Sequence, residues 1–409
     1  MQHRSGRALA AAAVAAATAA TAAVATSPAA SGAPAAASGT ARSLFGHHSS
    51  TLTGRPADAA SPETSTRMPL KFGNYPLRIH TLTTSVLAPL QFVVTPNLQV
   101  LVADSARSAI FKVGPTKLTK VLGGPVPGSI NGVDVNARGD LAYTWVSYSR
   151  SGAPGPTGLS ILRKGHKRLD VNLSTLEHRY NPDGNVTYGV QNPTASDIAC
   201  LKQVGEPASY KGLKDSNPYA VKAVKGGWVV ADAAANDLLF VDNKGRVKVL
   251  AVLPRQGFTF DATTAKAVGL PCIAGRTYYF EAVPTDVELG PDGALYVSTL
   301  PGGPESPSVA RGSVYRFTLT SHHLRRIAGG FNMATNLAVT PSGRVLVAEL
   351  GAGRISVVYR GRPEQVINLA GVVAVEFRDH VLYASTLGPT NDQGEPTGPG
   401  SVVAIKVRW

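Results

Sequence analysis

The stretch Val283-Pro284-Thr285-Asp286-Val287-Glu288-Leu289-Gly290-Pro291-Asp292-Gly293-Ala294-Leu295-Tyr296-Val297-Ser298-Thr299 runs from an apolar strand through a tight polar turn and back out as a second apolar strand. It has an echo from Met333 to Glu349. A hairpin of this kind cannot bury its own apolar faces and must stack on copies of itself, so repetition decides the architecture before any single residue does. With Pro284 to Gly293 as a ruler, the same register recurs at Pro89 to Leu98, Pro218 to Gly227 and Ala334 to Gly343, and more weakly at Ile130 to Gly139 and Gly371 to His380. The turns Pro291-Asp292-Gly293, Pro341-Ser342-Gly343 and Ala137-Arg138-Gly139 each place Gly where a short hairpin needs positive φ.

Each hairpin is followed by a third apolar strand, such as Ile110 to Val113, Leu238 to Val241, Val314 to Phe317, Ile355 to Val358 and Val402 to Val407. The pattern predicts an all-β fold: a six-bladed, NHL-like β-propeller of four-stranded antiparallel blades. Leu77 to Val86 is expected to close the last blade beside Val402 to Val407, uniting N- and C-terminal strands. The interval from Thr144 to Ala231 is long enough for a seventh blade, but residues 165–214 carry no matching hairpin. A stacked solenoid is the competing architecture.

The 409 residues, 44% hydrophobic with Gly 42 and Pro 29, suit many short strands around a large core. Arg4 and Arg7 precede an Ala-rich run from Ala8 to Val24, and Ala23-Val24-Ala25 offers small residues for cleavage, so residues 1–25 read as a secretory signal. Residues 26–75, rich in Ala, Ser, Thr and Pro, read as a disordered tether that includes His47-His48; residues 76–409 form the propeller domain. No later run is long and apolar enough for a transmembrane segment in the mature chain. The formal charge is +14, or +12 once Arg4 and Arg7 leave with the signal. For a secreted, extracellular protein, such a surface suits anionic cell-envelope polymers, and no basic and aromatic motif points to nucleic acid. Cys200 and Cys272 are the two cysteines. An even count in an exported chain favours a disulfide, with two separate buried thiols as the alternative.

Several stretches together resemble the ScyD/ScyE family of exported proteins: Asn181-Pro182-Asp183-Gly184, Asp215-Ser216-Asn217-Pro218-Tyr219-Ala220-Val221, Val230-Ala231-Asp232-Ala233-Ala234-Ala235-Asn236-Asp237-Leu238-Leu239 and Val283-Pro284-Thr285. The resemblance spans about residues 76–409 and implies a secreted propeller. It implies no reaction and no catalytic residue.

The ruler also sorts side chains around the axis. First-strand starts and second-strand ends share one face, onto which the long connections 163–216, 250–283, 299–312 and 387–400 also open. That loop-rich face is therefore the expected binding face. Its inner ring, at the position of Asp286, reads Gln91, Gly132, Ala220, Asp286, Asn336 and Val373. Its outer ring, at the position of Thr299, reads Asp104, Trp145, Asp232, Thr299, Glu349 and Thr386. Asn131 and Tyr219 flank the inner ring, and Trp145 and Tyr219 are suited either to stacking on a ligand or to packing between blades. The leading expectation is a non-catalytic module binding a small molecule, polysaccharide or protein, with no cofactor. The first alternative is a metal-dependent hydrolase or lactonase-like enzyme, with Ca2+ on Asp286 and Asn336. For the outer acids Asp104, Asp232 and Glu349, the competing role is capping backbone N–H groups between blades. The second alternative is a structural cell-envelope protein. No histidine falls on either ring and no Gly-x-Ser-x-Gly elbow occurs, which disfavours zinc and serine chemistry.

Overall fold

The computed structural model describes residues 78–303, 309–391 and 396–407. The signal and tether assignments, with His47-His48, lie outside the described residues. Six antiparallel four-stranded sheets follow the hairpins, each running outward from its first strand. Sheet I comprises Pro89–Val94, Val100–Asp104, Ala109–Val113 and Leu118–Gly123, and sheet II comprises Gly128–Val135, Leu141–Tyr148, Pro154–Leu162 and Leu169–Asn172. Sheet III comprises Pro218–Val224, Gly227–Asp232, Asp237–Asp242 and Val247–Val252. Sheet IV comprises Pro284–Leu289, Leu295–Thr299, Gly312–Thr318 and His323–Phe331. Sheet V comprises Ala334–Val339, Val345–Glu349, Arg354–Tyr359 and Arg362–Asn368. Sheet VI is Val372–Arg378, Val381–Thr386 and Gly400–Lys406, completed by Arg78–Val86 from the other end of the chain, with Ile79 opposite Ile405.

The protein is a β-propeller. First strands touch in the order I, II, III, IV, V, VI and back to I. The apolar clusters show why the sheets stack this way. Val93, Ala103, Ile130 and Tyr143 join I to II, and Leu159, Ile161, Trp228 and Val230 join II to III. Val229, Leu238, Val287 and Phe317 join III to IV, and Tyr296, Val314, Leu337 and Val347 join IV to V. Leu346, Ile355, Val375 and Ile405 join V to VI, and Phe92, Val102, Tyr383 and Val402 return from VI to I. Each sheet thus offers one apolar face to each neighbour, as the alternation of the hairpin strands requires. Gly293 turns at φ +71. Gly132 serves a different need: a Cβ there would lie 2.9 Å from the Ala220 Cα, so its bareness lets sheets II and III meet near the axis.

Two features depart from expectation. The last hairpin sits one residue later than the ruler placed it, because Arg378 pairs with Val381 around the two-residue turn Asp379-His380, at φ +48 and +61. Ala374, rather than Val373, is consequently the inner-ring residue of sheet VI. The connections read as loops at 163–216 and 250–283 build a further four-stranded sheet together, Ser209–Lys211, Thr187–Val190, Thr277–Phe280 and Gln256–Thr259 in spatial order. Helices α1 (Ser174–Tyr180), α2 (Ala195–Lys202) and α3 (Ala262–Ala267) belong to the same insertions. Their core is Val190, Leu201, Phe260, Leu270, Tyr278 and Phe280, tied by the Cys200–Cys272 disulfide, with a Cα–Cα distance of 6.0 Å. No helix among the described residues is long and apolar enough to cross a membrane.

Candidate functional site

On the loop-rich face the axis is filled. Ala88, Leu90, Tyr219, Ala233 and Val283 form one buried cluster drawn from sheets I, III and the approach to IV, which are not all ring neighbours, so the cluster bridges the axis. Immediately below, the Gln91 amide donates to the Thr285 carbonyl at 3.1 Å and accepts from Asn336 Nδ2 at 3.0 Å, linking opposite sides of the ring. Asn336 Oδ1 accepts from the Val375 N–H at 2.7 Å, and Asp286 Oδ2 accepts from the Leu337 N–H at 3.0 Å. Asn131 donates to the Asn217 Oδ1 and the Pro218 carbonyl and accepts from the Ser129 hydroxyl. The inner-ring polar side chains are thus engaged in holding the blades together. Burial, with the Glu288 carboxylate nearby, pushes the Asp286 carboxyl well above the usual carboxylate range.

The outer acids cap the blades. Asp104 accepts from the Leu87 and Ala88 N–H groups at 2.9 and 3.2 Å and pairs with Arg107. Asp232 accepts from the Asn217, Ala234 and Ala235 N–H groups and the Ser216 hydroxyl. Glu349 accepts from the Asn332 N–H at 2.7 Å, from Arg354 at 2.8 Å and from the Ser356 hydroxyl. In each case the end of a second strand is tied to the chain entering the first, the arrangement that leaves fewest buried donors unpaired. Glu349→Ala would strand three donors at a fully buried point; we expect a loss of about 2 kcal/mol, read from the chemical-denaturation midpoint. Trp145 lies outside the mouth, donating to the Ser160 hydroxyl at 3.0 Å in a crevice with Tyr143, Arg168 and Asp170. Among the described residues no three His, Cys, Asp or Glu side chains surround a common point as metal ligands do.

The axis opens at the other end. A cavity of about 400 Å3, framed by hairpin-turn residues such as Pro96, Ala137, Pro291 and Pro341, receives residues from all six first strands. That volume suits a small ligand. Two positions beyond the inner ring along each first strand, side chains again face the axis. This third ring reads Val93, Asp134, Lys222, Glu288, Ala338 and Glu376, all but Ala338 lining the cavity. Lys222 Nζ lies 2.6 Å from Glu288 Oε2 and 3.9 Å from Asp134 Oδ2, with side-chain exposures of 18% for Lys222 and 12% for Glu288. Asp134 Oδ2 also accepts from the Ala223 N–H at 2.7 Å.

Charge in this ring is unbalanced: one ammonium faces three carboxyls, with Asp286 a fourth below. Burial works against the Lys222 ammonium, but Asp134, Glu288 and Glu376 outweigh it and raise its pKa well above the lysine range. Burial pushes the Glu288 carboxyl up to about 7 against the pull of Lys222. Glu376 is driven well above the carboxylate range by burial and by the Glu288, Asp134 and Asp286 charges, which prevail over Lys222. The ring thus holds protons on its carboxyls beside the Lys222 ammonium, and Arg378 also lines the cavity. The ruler applied to strand starts passed over it; applied two residues further on, it would have aligned Asp134, Lys222 and Glu288 directly.

No protein-family model matches the chain, and no curated protein matches it. Solved structures similar to it include virginiamycin B lyase from Staphylococcus aureus, at 11% identity over 76% of this chain and 81% of that one, with TM-score 0.43. A gluconolactonase from Xanthomonas campestris matches at 12% identity over 87% of this chain and 99% of its own, with TM-score 0.47. The PQQ-bound aldose sugar dehydrogenase from Streptomyces coelicolor matches at 12% identity over 81% and 99%, with TM-score 0.46.

Proposed function

We propose that the chain is an exported, six-bladed propeller of the ScyD/ScyE type that binds a small organic cation in the axial cavity of its hairpin face. The observation that carries this reading is the third ring: Asp134, Glu288 and Glu376 converge on a cavity where Lys222 is the one cation of the ring, with Arg378 also among the lining residues. An amine or guanidinium entering there would find carboxyl oxygens in a low-dielectric setting, where ion pairing is stronger than in water. The inserted sheet and its disulfide support the export reading, since such crosslinks persist in oxidising compartments. The motifs Asn217-Pro218-Tyr219 and Val230-Ala231-Asp232-Ala233 support the ScyD/ScyE reading.

Calorimetric titration with agmatine, putrescine and choline tests the binding claim. A bound cation favours ionised carboxylates, so binding releases protons, and affinity is expected to rise about tenfold from pH 6 to pH 8 as Glu288, near 7, ionises. Absence of binding by every cation, or affinity that falls with rising pH, would overturn the reading. One observation favours a second reading, proton-transfer catalysis on the bound molecule: the carboxyl of Glu376, held protonated, shares the cavity with the Lys222–Glu288 pair. In that case Glu376→Gln abolishes turnover and leaves binding largely intact.

A further inference from the structure

The positive charge of the propeller is not spread evenly. Antiparallel pairing returns each third strand to the hairpin face, so the turn into the fourth strand lies there too, at the rim of the ring. In sheet II this turn is Arg163-Lys164-Gly165-His166-Lys167-Arg168. In sheet V it is Arg360-Gly361, followed by Arg362. Sheet I contributes Lys117, and sheet III contributes Lys244 and Arg246. The corresponding strand ends of sheet VI, Lys406 and Arg78, lie opposite each other. Sheet IV presents histidines there instead, His322 and His323.

Counted with one residue on either side of each turn, these rim positions hold eleven Lys or Arg against one acid, Asp242. All but Arg163 are exposed, and among the described residues only Arg168 and Arg246 pair with a carboxylate, Asp170 and Asp242. The inner turns between first and second strands carry three Lys or Arg and three Asp. The insertions on the opposite face, 173–217 and 253–283, carry seven of each sign. The excess therefore belongs to the rim of one face. Leu98 adds an apolar point to that face: it ends the inner turn of sheet I at φ +60 and 47% exposed, donating its N–H to the Thr95 carbonyl. Gly293 and Gly343 make the equivalent bond in sheets IV and V. Leucine at this position has neither the backbone freedom that the turn favours nor much burial within the fold.

We propose that the hairpin face seats on an anionic phospholipid bilayer, with the basic rim against the headgroup phosphates and Leu98 entering the interface. Charge complementarity with a flat surface carries the choice of partner. Neighbouring strands stand about 4.8 Å apart, so fourth strands lie roughly 15 Å outside the first and opposite sides of the rim are about 30 Å or more apart. A linear polyanion laid across the face meets the turns of two or three sheets, whereas a charged plane meets the whole rim. Lysine and arginine side chains near such a plane are attracted by its surface potential, and an apolar side chain at the same level gains by leaving water. Docking turns the mouth of the axial cavity toward the layer of cations that an anionic surface gathers. The inference stands apart from the cation reading, because neither Leu98 nor any of the rim cations lines that cavity.

Flotation of the protein with vesicles tests this, comparing phosphatidylcholine alone with an equal mixture of phosphatidylcholine and phosphatidylglycerol. Capture is expected on the mixed vesicles in low salt, with affinity falling at least about tenfold in about 0.5 M salt. Lys164→Gln with Lys167→Gln is expected to weaken binding about thirtyfold. Lys202→Gln with Lys266→Gln, the same charge change on exposed helices of the insertions, should alter it by no more than about twofold. Leu98→Gly should weaken binding about fivefold while Tm holds or rises, since glycine suits the turn. No capture by mixed vesicles, equal capture by neutral ones, or equal losses in the two lysine pairs would overturn the proposal. Capture by soluble polyphosphate without capture by vesicles would also overturn it and assign the rim to a polymer. The vesicle comparison needs no variant, so a variant that fails to fold leaves the proposal open to refutation. Glu376→Gln should leave vesicle binding unchanged and the lysine pairs should leave agmatine binding unchanged, so the two readings fail separately.

Discussion

Lys222→Met is expected to destabilise the protein by about 3 kcal/mol at pH 7.5, seen as a fall in Tm of roughly 6 °C. The ammonium is the one cation among Asp134, Glu288 and Glu376, and methionine fills its volume without its charge. Removing one partner of a largely buried ion pair leaves the other charge without compensation, which costs more than the pair itself contributes. The pH dependence separates this cause from lost packing. Glu288 has a raised pKa in the folded protein, so it takes up a proton as pH falls and its uncompensated charge disappears. The deficit should therefore shrink by more than half at pH 5. The double variant Lys222→Met with Glu288→Gln should recover much of the loss at pH 7.5. A deficit equal at both pH values would assign Lys222 a packing role only.

Loss of the Cys200–Cys272 crosslink has an expected cost of about 4 kcal/mol in the chain-entropy model, for a sequence separation of 72 residues. The effect should be local. The crosslink ties a small core of its own, Val190, Leu201, Phe260 and Phe280, whereas sheets IV, V and VI are joined by apolar clusters that contain none of these residues. Hydrogen exchange of the reduced protein, or of Cys200→Ala with Cys272→Ala, should show protection falling by about 10³-fold at Thr187–Val190 and Thr277–Phe280. Protection at Leu295–Thr299 and Val345–Glu349 should stay within a factor of a few. A uniform loss over the whole chain would mean that the insertion and the ring unfold as one unit.

These expectations show which parts of the molecule were legible in its residues. The hairpin at Pro284 to Gly293 gave the sheets, their third strands and the closing of sheet VI by the first described strand, because strand alternation and turn chemistry are local properties. The acidic caps were equally readable as an alternative to a metal site, since Asp104, Asp232 and Glu349 occupy one repeat position. The inserted sheet was not legible. Its strands are three or four residues long, and Gly189 finds its partner Tyr279 across the whole of sheet III, so no local pattern announces the pairing. The open end of the axis was missed for a different reason. Long connections drew attention to one face, but Leu90, Tyr219 and Val283 fill the axis there, whereas the tight turns at the opposite face leave the charged ring accessible. Loop length marks where a chain has been extended; it does not say whether the extension covers a site or a plug.

The most direct test of cation binding in the axial cavity is a crystal structure of the protein with agmatine bound. The guanidinium or ammonium end is expected within hydrogen-bond distance of the carboxyl oxygens of Glu376 and Glu288, beneath the turns that carry Pro291 and Pro341. Ligand seated on the loop-rich face, over Tyr219 and Val283, with the hairpin-face cavity empty, would contradict it.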